Sequence, residues 1–279
     1  MNTKDRILRR LLPFLLISVI LSQPVISGYI KLDTYHDSHA VTAAREGHYA
    51  LYPENSDPAS RINFVLFQSR IRVSLPSQPF FTWSVAGFIE GDFFGTSNGR
   101  ENQFRLRHSV ITITNPTTRI TLGQYWSPLF NEYVYPGTVS FNTGAPMQPF
   151  ARMPQITVTK QVMSSFFLRL SATMQRDAFA DIGGVEQQQA SGRPGFHLHG
   201  WFQTPRFLLG TGLYQKSIQP EDAPSFPALA GTFYGKLSLD RFHIKWKYTR
   251  GEDLADHIML GGYAILTDTL SGSMRSVPL

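Results

Sequence analysis

Three kinds of residue arrangement in this chain could do chemistry. Arg70 and Arg72, Glu90 and Asp92, and Arg105 and Arg107 each recur at a spacing of two. In an extended strand, residues two apart share a face, so each pair would set two like charges on one wall. Side by side on neighbouring strands, such rows either neutralise one another as a ladder of ion pairs or leave an arginine excess that attracts anions. His197 and His199 have the same spacing and could hold a metal, but no third ligand stands near them. His108 and Ser109 are adjacent, so they would point to opposite faces. His36 and Ser38 share a parity but carry no oxyanion-hole signature. The chain has no cysteine, hence no disulfide framework and no thiol nucleophile. No phosphate loop, zinc motif or catalytic carboxylate pair stands out. No catalytic residue, metal or cofactor is therefore expected, and the charged rows remain as the functional candidates.

Their positioning begins with the N-terminus. Lys4, Arg6, Arg9 and Arg10 precede an apolar stretch, Leu11 to Leu21, and Val25-Ile26-Ser27 offers a cleavage site. This reads as a signal peptide over 1–27, leaving a single domain from 28 to 279. The apolar stretch is too short to cross a ~30 Å bilayer core as a helix. Without the leader's four bases and one acid, 22 Lys+Arg face 19 Asp+Glu, so the net charge of +6 falls to +3. No basic block suggests a nucleic-acid partner. Charged residues are few (16%) and aromatic ones many (13%), which suits a protein with lipid on one side and water on the other.

Period-two alternation runs through the chain. Ile71, Val73 and Leu75 alternate with Arg70, Arg72 and Ser74, and Leu168, Leu170 and Ala172 alternate with Arg169, Ser171 and Thr173. Ala230, Thr232, Tyr234, Lys236 and Ser238 likewise oppose Gly231, Phe233, Gly235, Leu237 and Leu239. His243, Lys245 and Lys247 oppose Phe242, Ile244, Trp246 and Tyr248. Twelve strands follow, at 28–37, 62–75, 82–94, 104–114, 118–126, 154–162, 165–176, 195–204, 207–217, 229–239, 241–250 and 257–266. Most match the ~9–11 residues that cross a bilayer at a tilt.

The connectors alternate between long (38–61, 95–103, 127–153, 177–194, 218–228) and short (76–81, 115–117, 163–164, 205–206, 240). Long extracellular loops and short periplasmic turns are the signature of an outer-membrane barrel. The expected fold is an all-β, antiparallel transmembrane barrel with an aromatic belt at the strand ends, as at Phe80, Phe81, Trp83, Phe94, Trp201 and Phe202. A soluble secreted β-sandwich is the alternative that keeps the same hairpins.

In the barrel reading the polar faces line a lumen. Four arginines against two carboxylates leave a positive excess, to which Arg169, Lys236, Lys245 and Lys247 add, while Asp33 balances Lys31. The 127–153 connector is long for a simple turn and rich in proline, glycine and aromatics, which suits a constriction folded into the pore. Its Glu132 and Arg152 would meet a solute, and its Tyr133 and Tyr135, with Trp126, could instead stack on sugar rings in an oligosaccharide channel.

Gly28-Tyr29-Ile30-Lys31-Leu32-Asp33, Ile89 to Gly95, Phe104 to His108 and Leu122-Gly123-Gln124-Tyr125-Trp126 resemble the DcaP-like porins. Pro136 to Gly144 resembles a Bacteroidetes-type version of them. The resemblance is clearest from Gly28 to about Asp177 and implies a homotrimeric outer-membrane channel of about sixteen strands. It also implies passive diffusion of small anionic solutes such as dicarboxylates. This sequence departs from the pattern at its end, Ser276-Val277-Pro278-Leu279, where such barrels place a closing strand with a terminal aromatic residue. The expectation is a chain truncated at the C-terminus, with twelve strands present.

Overall fold

The computed structural model describes residues 23–39, 41–44, 49–53, 59–95, 100, 102–138, 144–145, 147–175, 186–221, 223–259, 262–267 and 274–278. Most of the expected leader, and Phe141 and Pro146 of the long connector, lie outside these.

Eleven strands form one antiparallel sheet, in which they lie side by side in chain order. They are β1 Val25–Tyr29, β6 Arg70–Phe80, β7 Trp83–Asp92, β8 Arg105–Thr114, β9 Thr118–Trp126, β10 Arg152–Met163, β11 Phe166–Thr173, β12 Gly195–Gln203, β13 Phe207–Ile218, β14 Phe226–Ser238 and β15 His243–Gly251. From β6 onward every strand pairs with its neighbour in sequence, the meander that two-residue turns and long loops permit. Among the described residues β1 and β15 are the sheet's two edges and do not pair with each other.

The alternation decides which way side chains point, and the two faces are inverted relative to a water-soluble protein. On β10, β11 and β13, Ile156, Leu170 and Leu213 are each 60% exposed, while Thr157, Ser171 and Tyr214 on the opposite face are 2–5% exposed. Ile71, Ile89, Leu106, Ile111, Leu198, Phe233 and Ile244 continue the exposed apolar face around the sheet. A contiguous exposed apolar surface of this extent is rare on a water-soluble monomer.

Several expected boundaries are corrected. The first strand is broken: β1 is followed by β2 (Asp33–Asp37), which pairs with β5 (Arg61–Val65), and β3 (Val41–Ala44) pairs with β4 (Tyr49–Pro53) beyond it. The break lies where Ser69 turns back on Leu66 and the Lys31 amide donates to Ser69 Oγ. β1 also begins inside the segment assigned to the leader, with Val25, Ile26 and Ser27 paired to Ser74, Val73 and Arg72. The expected turn at 76–81 is strand: β6 runs to Phe80 through a register shift after Leu75 that absorbs Pro76, and the turn is Phe81-Thr82.

A short helix, α1 (Glu186–Ala190), stands in the connector read as a plain loop. The expected strand 257–266 is mostly not strand. Its start is a 3-10 turn, Ala255–His257, and only β16 (Tyr263–Thr267) is extended, pairing with β17 (Met274–Pro278) apart from the main sheet. The aromatic belt is partly overturned too. Phe81 and Phe202 are exposed, but Phe94 and Trp201 are buried on the inner face.

Candidate functional site: a divided interior

The inner face carries the expected charge rows, drawn into one network. Arg72 Nε donates to Glu90 Oε2 at 2.8 Å, Arg107 Nε to Glu90 Oε1 at 2.9 Å, Arg107 Nη1 to Asp92 Oδ2 at 2.7 Å and Arg105 Nε to Asp92 Oδ1 at 2.7 Å. Arg70 Nε stands 3.5 Å from Glu90 Oε1. Three of the four arginines are hydrogen-bonded to the two carboxylates, Arg70 is ion-paired to Glu90 without a hydrogen bond from its Nε, and Arg107 is only 2% exposed. This is a neutralising ladder more than an open row of cations.

A bulge shapes the network. Glu90 pairs with His108 but Gly91 with Leu106, so Arg107 is the extra residue. Arg107 and His108 therefore both turn inward, where strict alternation would send His108 to the outer face. His108 packs against Tyr125 and Trp126, at centroid separations of 5.0 and 5.3 Å.

The described part of the connector, 127–138, 144–145 and 147–151, enters the interior and touches both ends of the sheet's inner face. Phe130 and Phe150 pack with Val65, Phe67 and Phe94, while Val134 packs with Trp201, Leu208 and Tyr234, and Leu129 with Tyr214 and Ala230. Two of the expected lumen lysines hold it. Lys247 Nζ donates to the carbonyls of Leu129 and, at 3.0 Å, Phe130, and Lys245 Nζ donates to the Tyr135 carbonyl at 3.3 Å. Arg152 is not a loop residue. It opens β10 and lies buried over the Trp126 and Phe150 rings.

The connector divides the interior in two. The upper chamber, toward the long connectors, has about 330 Å³ and is lined by Lys31, Arg70, Arg72, Glu90, His108 and Tyr135, among others. The lower chamber, toward the short turns, has about 710 Å³ and includes Thr112, Arg119, Thr121, Tyr133, Thr159 and Arg169 in its lining. Tyr125, Trp126 and Glu132 line both, and the Tyr125 hydroxyl donates to Glu132 Oε1 at 2.7 Å across the partition. Lys236 faces inward on β14, opposite Lys245.

Sequence reasoning missed a second network beneath the connector. Ser127 Oγ lies 2.7 Å from His257 Nε2, His257 Nδ1 lies 2.8 Å from Asp256 Oδ1, and Tyr214 donates to Asp256 Oδ2 at 3.2 Å. Lys216 Nζ sits 3.1 Å from both Asp256 and Asp253. Burial alone would raise the Asp256 carboxyl, but the neighbouring His257 and Lys216 charges hold it below the usual carboxylate range.

These are the distances of a nucleophile, base and acid. Yet Ser127, His257 and Asp256 are 0–1% exposed, and Ser127 Oγ already accepts the Leu129 amide. With its three groups almost closed to water, the geometry describes a tie between the connector and the 3-10 turn. The Phe150 amide donating to the His257 carbonyl at 2.7 Å reinforces it. His197 and His199 are buried side by side, His197 stacked on Tyr214 at 4.2 Å and His199 against Gly212. No group of three metal-binding side chains occurs among the described residues.

No family model matches this sequence, and no curated protein does. Among solved structures the chain is similar to the outer membrane channel DcaP of Acinetobacter baumannii, with a TM-score of 0.65 at 13% identity. The match covers 83% of this chain and 64% of that one, so the chain spans under two thirds of that channel's length. A weaker likeness, TM-score 0.42 at 11% identity, is to an anion-selective porin from Comamonas acidovorans, covering 83% and 79% of the two chains. The first of these likenesses shows the fold, a large antiparallel sheet of the outer-membrane β-barrel type.

Proposed function

We propose that this chain forms the wall of an outer-membrane porin that lets small hydrophilic solutes, preferentially anions, diffuse passively. The observation that carries the reading is the inverted sheet: exposed leucine and isoleucine outside, buried threonine, arginine and glutamate inside. A soluble sandwich would bury the apolar face against a second sheet, and here that face is open. The inward connector, held by Lys245 and Lys247, serves as the constriction, with Glu132, Tyr133 and Tyr135 on its chamber surfaces. Anion preference is supported by the excess of arginine and lysine over carboxylates along the two chambers.

Export through a cleaved leader, insertion among outer-membrane lipids and assembly as a homotrimer complete the proposal. Its test is reconstitution of the full chain in planar bilayers under a salt gradient. Stepwise conductance with an anion-selective reversal potential is expected. Cation selectivity would reject the anion preference, and sugar flux in a liposome-swelling assay without anion selectivity would favour an oligosaccharide channel.

A further inference from the structure

The lower chamber is built differently from the upper one, and its residues lie in two level rows. Strand register sets Thr114 opposite Arg119, Arg119 opposite Thr159, and Thr159 opposite Arg169. One step up, Thr112 faces Thr121, Thr121 faces Thr157, and Thr157 faces Ser171. The first row is hydroxyl, cation, hydroxyl, cation, with the two arginines on strands two apart, about 10 Å between backbones. The second is a continuous strip of hydroxyls, about 7 Å further along the strands.

The chemistry of these groups is available to a solute. Arg169 donates to Thr159 Oγ1 at 3.2 Å and lies over the Trp201 ring, but no carboxylate pairs with Arg169 or Arg119 among the described residues. Glu132, the one carboxylate among the described residues lining this chamber, is taken by Tyr125. Thr157 is tied to Gln155 and Ser171, whereas the hydroxyls of Thr112 and Thr121 have no protein partner among the described residues. The four arginines above are all engaged by Glu90 and Asp92.

We infer that the lower chamber is a binding site for a small polyhydroxylated carboxylate, its acid group held between Arg119 and Arg169 and its hydroxyls on the threonine row. The inference rests on the channel reading and moves the discriminating charge from the upper arginines to these two. A guanidinium with a free edge binds a carboxylate through paired N–H donors, and a chamber of about 710 Å³ admits such a solute with room to pass.

The test uses the full chain in planar bilayers with D-gluconate as probe, against acetate and glucose. Gluconate is expected to block the chloride current, with acetate and glucose weaker at equal concentration. Arg119→Gln with Arg169→Gln removes both charge-assisted contacts to the acid group and should raise the half-blocking concentration at least about tenfold. Thr112→Val with Thr121→Val should bring gluconate to the level of acetate, and Arg70→Gln with Arg72→Gln should leave the block nearly unchanged. The inference is overturned if wild-type current flows without gluconate block, if acetate blocks equally, or if the Arg70 and Arg72 pair alone removes the block. Absence of any wild-type conductance would instead overturn the channel reading, and this inference with it.

Discussion

Replacing Asp256 by alanine should release the inward connector. In the folded chain that carboxylate serves His257 at 2.8 Å, Lys216 at 3.1 Å and the Tyr214 hydroxyl at 3.2 Å, all at sites almost closed to water. Its removal leaves the Lys216 ammonium, 2% exposed, with Asp253 alone, and deprives His257 of the group that orients it toward Ser127. Breaking a buried ion pair by deleting one partner costs about 3–5 kcal/mol. Because Lys216 keeps Asp253, the lower end applies, and about 3 kcal/mol lowers the docking constant roughly a hundredfold.

The assay is single-channel recording: the Asp256→Ala channel should conduct more, with frequent transitions between levels as the connector leaves and returns. Acid should act in the same direction on the wild type. The Asp256 carboxyl titrates lower folded than unfolded, so its contribution is complete above the unfolded carboxylate range, about 3.9, and is lost as pH falls below it toward the folded value. A variant with wild-type conductance, noise and acid response would refute the tie.

Three further outcomes are expected. Gly212→Ala places a methyl 2.3 Å from the His199 ring, so it should cost about 1–3 kcal/mol and lower the temperature at which the folded band converts to the unfolded one on a gel. Glu90→Gln removes the charge shared by Arg70, Arg72 and Arg107, and should destabilise by about 3 kcal/mol in the same assay, the lower end because buried Arg107 keeps Asp92. Since β1 is part of the sheet from Val25, mass spectrometry of the mature protein should find its first residue at or before Val25, with cleavage after Ser22 fitting best. A mature protein beginning at Gly28 would remove most of β1.

Period two is a local property, so the sequence alone shows the strands and their faces. β9 is read to the residue at 118–126, and β8, β12 and β13 to within one. What is not local is not legible. The inward turn of His108 depends on a bulge set by pairing with β7. The tie joins Ser127 to His257 across 130 positions, and no spacing rule relates them. Arg119 had a usable signal, its shared parity with Thr121 on β9, but only the register with Thr159 and Arg169 makes that signal matter. The last expected strand misled because Leu254 packs against Leu129 and the His257 carbonyl accepts the Phe150 amide, and those contacts override an extended path.

The most direct test of the account is its inside-outside assignment, and the absence of cysteine makes it clean. Single substitutions Thr112→Cys, Thr121→Cys, Ile111→Cys and Leu122→Cys alternate along two paired strands. Treated in intact outer membranes with a small charged maleimide, the thiols at 112 and 121 should react and those at 111 and 122 should stay unmodified. Equal labelling at all four, or labelling at 111 and 122 alone, would contradict a water-filled interior facing away from lipid.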